Sequence, residues 1–208
     1  MASADLYLDT INYLAYLDRT DCAECGFSSC EEFIDALKKG KKIPGDCSSI
    51  RANEAYAFDA VEKIKDLWPE VPLLVHPRPS HIGLIELNGP YAESLVLLSG
   101  NNDYTEQVLL TVLGTTMAPF FVLFIDTDGN TVDMSMIYKT FTAERVKEAF
   151  QETGIGDKAR RKEVIIPGLA APLQKDIEAL TGWHVRVGPV CAAELPLFLS
   201  ALWVPPER

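Results

Sequence analysis

The chain has few basic residues. Its 208 residues include 19 lysines and arginines against 30 aspartates and glutamates, which gives a formal net charge of −11. Such a charge repels phosphate backbones and anionic lipid headgroups, so nucleic acid and membrane surfaces are unfavourable partners. The first seven residues have no basic stretch of the kind that opens a signal peptide, and acidic residues occur at Asp5 and Asp9. These features predict a cytoplasmic protein.

The sequence also lacks the short motifs of nucleotide binding and acyl transfer. It contains no dinucleotide fingerprint, no phosphate-binding loop and no G-x-S-x-G elbow. One uncharged run, residues 108–125, approaches the roughly 18 to 20 residues of a membrane-spanning helix. Gly114 and Pro119 interrupt this run. We therefore expect a helix followed by a buried strand, and no membrane partner.

Four of the five cysteines lie close together near the start of the sequence. Their spacing is Cys22-x2-Cys25-x4-Cys30-x16-Cys47, and Gly26 directly follows the second cysteine. Three close thiolates and a distant fourth suit a loop that wraps around an iron-sulfur cluster, here of the [4Fe-4S] type. Zinc is an alternative, although structural zinc sites usually use two separated cysteine pairs. Disulfides are a second alternative, which a cytoplasmic setting disfavours.

The fifth cysteine, Cys191, lies far from the others. It follows Gly188-Pro189 at the start of a predicted helix, where the helix dipole would favour a thiolate. The other interpretation is a small buried side chain. The sequence assigns no role to this residue.

Apolar periodicity predicts two different halves. Helices are expected at residues 5–18, between Cys30 and Gly40, and at residues 52–68, before a segment with four prolines at positions 69, 72, 77 and 79. The second half alternates strands at 83–87, 95–98, 120–126, 163–166 and 184–187 with helices at 104–113, 142–153, 170–181 and 191–203.

This order of elements predicts an α/β fold. We expect a small helical four-cysteine cluster domain at residues 1–50, a helix and proline-rich linker at 51–82, and an α/β domain at 83–208. Strands separated by helices imply a mostly parallel sheet with helices on both faces. Ligands in such sheets bind at the carboxyl ends of the strands. Here those ends are residues 99–101, 126–129, 167–168 and 188–189.

Several segments carry a family resemblance. In the first half these are DCAECG at residues 21–26, Cys30, Phe33 and residues 40–47. In the second half they are VLLSGN at 96–101 with Thr105, FIDTDG at 124–129, FTAE at 141–144, VIIPGLA at 164–170 and GWHVRVGP at 182–189. They resemble the N-terminal cluster domain and the C-terminal corrinoid-binding domain of the large (gamma) subunit of the corrinoid iron-sulfur protein, from the acetyl-CoA synthase/decarbonylase pathway. The resemblance covers roughly residues 15–50 and 93–203.

The resemblance implies a methyl carrier of anaerobic metabolism rather than a stand-alone enzyme. In that family Co(I) accepts a methyl group, methyl-Co(III) donates it, and the low-potential cluster reduces cobalt that has oxidised to Co(II). The implied partner is a methyltransferase or another redox protein. The implied cofactors are a [4Fe-4S] cluster on the four cysteines and a corrinoid (cobalamin) near Ser99, Asn101, Thr105, Thr127, Gly129, Met134 and Gly168.

Two departures from the family support an alternative. The family's large central barrel domain is replaced by the proline-rich crossing, and residues 132–140 read VDMSMIYKT where the family has small residues beneath the corrinoid. The alternative is a non-enzymatic iron-sulfur electron-transfer or accessory module whose α/β domain no longer binds corrinoid and docks a partner protein. In that case Met134, Met136 and Tyr138 should fill the domain's own cleft.

Overall fold

The computed structural model describes residues 3–18 and 23–206. Its strands are β1 (Gly83–Leu87), β2 (Leu95–Gly100), β3 (Phe120–Ile125), β4 (Glu163–Ile166) and β5 (His184–Val187). Its α-helices are α1 (Cys30–Lys38), α2 (Ala55–Leu67), α3 (Asp103–Leu113), α4 (Val132–Tyr138), α5 (Ala143–Thr153), α6 (Ile155–Lys158), α7 (Gln174–Thr181) and α8 (Leu195–Leu199). Short 3-10 helices lie at Leu8–Thr10, Tyr13–Tyr16, Pro44–Asp46, Gly168–Leu173, Ala192–Glu194 and Ser200–Leu202.

The five strands form one sheet in the order β1-β3-β2-β4-β5. The pairs β2–β3, β2–β4 and β4–β5 are parallel, and β1 runs antiparallel to β3 at one edge. The buried strands β2 and β3 consist almost entirely of apolar residues, as expected for parallel strands covered on both sides. The predicted α/β class and mostly parallel sheet are confirmed.

Helices cover both faces of this sheet. Side chains alternate along a strand, so Leu97 and Val122 face one layer while Leu98 and Leu123 face the other. Residues of α1, α2, α3 and α8 pack on the first face, and residues of α5 and α7 pack on the second. Residues 108–125 form the end of a helix followed by a strand, as predicted, because α3 ends at Leu113 and β3 begins at Phe120.

The described N-terminal residues share the hydrophobic cluster of the first face. Tyr13, Phe33 and Ile64 belong to the same buried set as Trp203 near the other end of the chain. A hydrogen bond from Ser200 Oγ to Glu54 Oε1, 2.7 Å long, joins the same two regions. The division into residues 1–50, 51–82 and 83–208 stays a prediction about folding units.

Three predicted helices are wrong in detail. Residues 5–18 form two 3-10 turns instead of one α-helix, because Leu6 and Tyr7 adopt positive φ angles that interrupt helical geometry. The predicted helix 170–181 begins as a 3-10 helix that contains Pro172. Within the predicted helix 191–203, only Leu195–Leu199 form an α-helix, because Ser200 has a φ of 50° and ends it.

Across the described part of the chain, no helix combines the length and the apolar composition that crossing a membrane requires.

Candidate functional site

The three described cysteines of the predicted cluster lie at the ends of short elements. Cys30 is the first residue of α1, whose N-terminus is capped by Ser29 Oγ, which accepts a hydrogen bond from the Glu32 amide. At the other end of α1, Gly40 has a φ of 66°, and the Lys41 amide donates to the Ala36 carbonyl at 2.8 Å. This bond pattern, a Schellman motif, ends the helix and reverses the chain toward Cys47.

A side-chain contact joins the turns that carry Cys25 and Cys47. Ser48 Oγ donates a hydrogen bond to the Glu24 carboxylate, so the residue after Cys47 contacts the residue before Cys25. Both cysteines also pack in the first hydrophobic cluster. Gly26 has a φ of 85°, a conformation that favours glycine, in the turn directly after Cys25.

The ligand set itself stays a prediction. Cys22 lies outside the described residues. Among the residues that the structure describes, no three His, Cys, Asp or Glu side chains form a metal-site arrangement. Cys30 and Cys47 are buried, and Cys25 is partly buried. Iron-sulfur binding at such thiols would be coupled to folding.

A cavity of about 320 Å³ lies at the carboxyl edge of the sheet. The ends of β2 and β4 and the loop after β5 form its floor, and α3 and α4 flank it. Three of the residues predicted to lie near a corrinoid, Ser99, Thr105 and Met134, line it. Most of the other lining side chains are apolar, including Val71, Leu97, Val108, Ile166 and Leu195.

Two segments that no motif pointed to form a roof over this cavity. We call residues 4–7 and 71–75 the roof; members of both segments line the cavity. They pair through the Ala4 amide, which donates to the Val71 carbonyl at 2.8 Å, and through a bridge between Ser3 and Pro72. Leu73 and Leu74 are 65% and 85% exposed. The only sequence signal for the roof is apolar residues within the proline-rich segment.

Three other predicted residues do not line the cavity. Asn101 and Thr127 are buried, and Asn101 Oδ1 accepts hydrogen bonds from the Thr127 amide at 2.7 Å, the Thr127 hydroxyl at 2.9 Å and the Gly129 amide at 3.3 Å. Pro79 packs so tightly on Gly129 that a Cβ there would lie 2.5 Å from the Pro79 nitrogen. The Ser80 amide donates to the Asn101 carbonyl at 2.8 Å. These residues join the loops after β2 and β3 to the proline-rich crossing.

Gly168 has a structural role beside the cavity. A Cβ at this position would lie 2.7 Å from the Val190 nitrogen and 2.8 Å from the Gly188 carbonyl oxygen. Only glycine therefore lets the loops after β4 and β5 approach so closely. Its neighbours Pro167 and Leu169 line the cavity in its place.

The bulky residues of α4 separate into three environments. Met134 lines the cavity, whereas Met136 packs against the hydrophobic cluster on the second face of the sheet. Tyr138 is exposed. One of the three side chains that would fill the cleft in the accessory-module alternative therefore does so.

Cys191 is a buried thiol in the wall behind the cavity. Burial raises its pKa to about 11, and the nearby Glu194 carboxylate also raises it, against lowering by hydrogen bonds from the Ala193 and Glu194 amides. The side chain is therefore a neutral thiol at neutral pH. This result favours the small buried residue over the dipole-stabilised thiolate.

The fold and these sites define a class: an α/β protein with a mostly parallel sheet, an apolar cavity at the strand ends and a cysteine-rich helical region packed on one face. A family model described as "CO dehydrogenase/acetyl-CoA synthase delta subunit" matches residues 68–199, and one described as "Putative Fe-S cluster" matches residues 17–49. Because the first match covers more than half of the chain, the chain belongs to the CO dehydrogenase/acetyl-CoA synthase delta subunit family.

Curated relatives agree with this assignment. The acetyl-CoA decarbonylase/synthase complex subunit gamma of Methanopyrus kandleri is 37% identical over 177 residues, which are 80% of this chain and 37% of the relative. The corrinoid/iron-sulfur protein large subunit of Moorella thermoacetica is 32% identical over 133 residues, 64% of this chain and 29% of the relative. The gamma subunit of Methanocaldococcus jannaschii is 27% identical over 203 residues, 93% of this chain and 40% of the relative.

These matches confirm the resemblance that the cysteine spacing and the second-half segments indicate. The chain nevertheless spans less than half the length of these relatives, between 29% and 40%.

Proposed function

We propose that this chain is a corrinoid/iron-sulfur protein of the acetyl-CoA synthase/decarbonylase type. Cys22, Cys25, Cys30 and Cys47 hold a [4Fe-4S] cluster, and the carboxyl edge of the sheet holds a corrinoid that takes electrons from it during methyl transfer. A methyltransferase is the expected partner. The observation that carries this proposal is the common core, in which Cys25, Cys47 and part of the cavity lining, including Leu97, Ile165 and Leu195, belong to one hydrophobic cluster.

The donor set suits an iron-sulfur cluster. Thiolates are the ligands such clusters use, and the described cysteines lie on turns with buried or partly buried side chains. Burial would exclude water from the cluster sulfides. Solvent access and hydrogen bonds to the sulfurs together set the reduction potential of such a cluster. The contact between Ser48 and Glu24 joins the turns that carry Cys25 and Cys47.

The cavity suits one side of a corrinoid but is too small for the whole group. At about 320 Å³ it lies near the lower end of small-molecule pockets, about 300 to 1,000 Å³. A complete corrinoid therefore requires the roof to open. The roof segments are joined by one backbone hydrogen bond and one bridge, and Leu73 and Leu74 are exposed, whereas Val71 is buried. Opening would therefore have to expose Val71.

When bound, the cluster supplies single low-potential electrons and the corrinoid supplies a cobalt that carries the methyl group. The chain's own residues bind and shield. Apolar side chains of the lining, such as Leu97 and Ile166, would exclude water from a bound corrinoid, and the Ser99 and Thr105 hydroxyls would supply polar contacts to it. The hydrogen bonds that Asn101 Oδ1 accepts from the Thr127 and Gly129 amides hold the loops after β2 and β3 together beside the cavity.

Metal content after reconstitution tests this function. Anaerobic protein is incubated with iron, sulfide and hydroxocobalamin and passed over a desalting column, and iron and cobalt are then measured. We expect about four irons per chain and one cobalt. Met134→Trp should lower the retained cobalt without changing iron, because the indole fills the cavity. Met117→Trp is the matched control, since Met117 is half exposed and lies outside the cavity.

The accessory-module function is the second candidate. It is favoured by the roof and by Met134, whose side chains occupy part of the space at the strand ends. Wild-type protein that retains iron but no cobalt, and that does not gain cobalt in Met134→Ala, would support this alternative and contradict corrinoid binding.

A further inference from the structure

One of two dense runs of basic residues in this acidic chain lies beside the predicted cluster; the other is residues 158–162. Four lysines, at positions 38, 39, 41 and 42, lie within five residues on a chain with a net charge of −11. Lys38, Lys39 and Lys41 are exposed, and Lys42 is half-buried. We call these four lysines and Ile43 the lysine patch.

Helix capping explains only part of the lysine patch. Lys38 occupies the last turn of α1, where a cation stabilises the helix dipole. Lys41 and Lys42 lie beyond the helix, after the reversal at Gly40. Asp35 and Asp46 are the nearest acidic residues in sequence, and Asp46 pairs with Lys42 at 3.7 Å. Four lysines against two aspartates over residues 35–46 leave a positive surface.

The lysine patch leads directly to the cysteine turns. The Lys42 ammonium lies 5.9 Å from the centroid of the Phe27 ring, and Phe27 follows the turn of Cys25 and Gly26. Ile43 is 65% exposed and comes just before the Pro44–Asp46 turn that ends at Cys47. An exposed apolar residue among exposed lysines is typical of a surface that combines electrostatic steering with a small dry contact.

We propose that the lysine patch is the docking surface for an acidic electron-transfer protein that reduces the cluster. This inference rests on the proposed function, because it needs a cluster at the four cysteines. One electron leaves the reduced partner and enters the oxidised cluster; no bond forms or breaks and no proton moves. The net negative charge of the chain disfavours such a partner on most of its surface. The second basic run, at residues 158–162, has two of its four charges paired, Lys158 with Glu86 and Arg161 with Glu163.

Reduction kinetics test the docking surface. The probe is a reduced acidic ferredoxin, mixed in a stopped-flow instrument with the reconstituted full chain at about 0.05 M salt, where the Debye length is about 14 Å. Lys39→Glu/Lys41→Glu should lower the second-order rate at least about tenfold and remove most of its salt dependence, as expected when steering is lost. The control, Lys147→Glu/Lys175→Glu, makes the same charge change at exposed lysines of α5 and α7 on the other face of the sheet.

Three outcomes would overturn the proposal. Equal losses in both variants would mean that only net charge acts, and an unchanged rate in the patch variant would mean that the partner docks elsewhere. Reduction by methyl viologen radical cation, a small reductant that needs no docking surface, should not be slower in either variant. A slower rate there would indicate a damaged cluster. Absence of iron-sulfur absorption in the wild type would overturn both the docking surface and the proposed function.

Discussion

The cysteine turns and the carboxyl edge of the sheet are assembled from different kinds of contact. Cys25, Cys30 and Cys47 are positioned by bonds within residues 23–50: a helix cap, the reversal at Gly40 and the contact between Ser48 and Glu24. The cavity joins segments from the whole chain, since its lining includes Ala4, Leu6, Tyr7, Met134 and residues 71–75 and 188–190.

The two regions should therefore respond differently to substitutions. The cysteine turns form a local site that depends on a few side chains, so the loss of one ligand should abolish metal binding by the whole site. The carboxyl edge of the sheet is built from distant segments, and its loops must pack at fixed distances from one another. Substitutions there should therefore act by displacing the backbone of these loops.

The largest effect is expected at the cysteines. Cys47→Ser should remove most of the iron bound after anaerobic reconstitution, because a four-thiolate cluster loses one of its ligands. Iron and sulfide analysis with visible absorption measures this. Cys191→Ser is the matched control, since Cys191 is a buried neutral thiol outside the proposed ligand set. Equal iron in both variants would contradict the assignment of the ligands.

The second effect concerns the core that joins the two regions. Trp203 is 1% exposed, packs near Phe120 and donates from Nε1 to Thr115 Oγ1 at 3.1 Å. Trp203→Ala should lower the free energy of unfolding by about 3 to 5 kcal/mol in urea titrations.

Hydrogen exchange makes the same test specific for the two faces. Trp203→Ala should reduce the protection of α2 more than Trp183→Ala does, because Trp183 lies in the hydrophobic cluster on the other face. Identical exchange in α2 for both variants would argue against a core shared with the N-terminal region.

The third effect tests the crossing of the proline-rich segment. Gly129→Ala should destabilise the fold by about 1 to 3 kcal/mol, because Gly129 has a φ of 71° and its Cβ would meet Pro79. Gly45→Ala is the control, since no atom lies within 4 Å of a Cβ there. Urea titrations should show no more than about 0.5 kcal/mol for the control. Similar losses in both variants would contradict tight packing at Pro79.

The smallest effect depends on pH. Burial alone would raise the pKa of Glu54, but hydrogen bonds from Ser200 and Arg51 hold this pKa below its ordinary value of 4.5. A lowered carboxyl pKa stabilises the folded state above the unfolded pKa, and this stabilisation is lost as pH falls through the folded pKa. Glu54→Gln should therefore cost about 1 to 2 kcal/mol at pH 7 and less at pH 3. A loss that does not diminish on acidification would contradict this account.

The sequence predicted the local features well. Strands β1, β4 and β5 have the predicted bounds, because short apolar runs between turn residues identify strands on their own. The cysteine spacing likewise needed no tertiary contact to be recognised. Helices were harder wherever a positive φ, as at Leu6 and Tyr7, or an internal proline interrupts a periodic pattern.

The roof and the Asn101 network could not be predicted in the same way. Both depend on where the proline-rich crossing lies, and no periodicity describes such a segment. Asn101, Thr127 and Gly129 therefore looked like ligand contacts at a strand end, whereas their hydrogen bonds and packing involve neighbouring loops and Pro79. The sequence located the edge of the sheet at which the cavity lies, but it could not separate the residues that line the cavity from those that hold the loops. Which residues contact a ligand stays a prediction.

Electron transfer between the two regions is the central claim, and one measurement tests it most directly. Protein loaded with iron, sulfide and corrinoid is photoreduced anaerobically, and the Co(II) signal is followed by electron paramagnetic resonance. The proposed function predicts that the signal decays at the same rate in wild type and Cys191→Ser and persists in Cys47→Ser, which lacks the cluster. Equal decay in all three proteins, with cobalt retained in each, would contradict it.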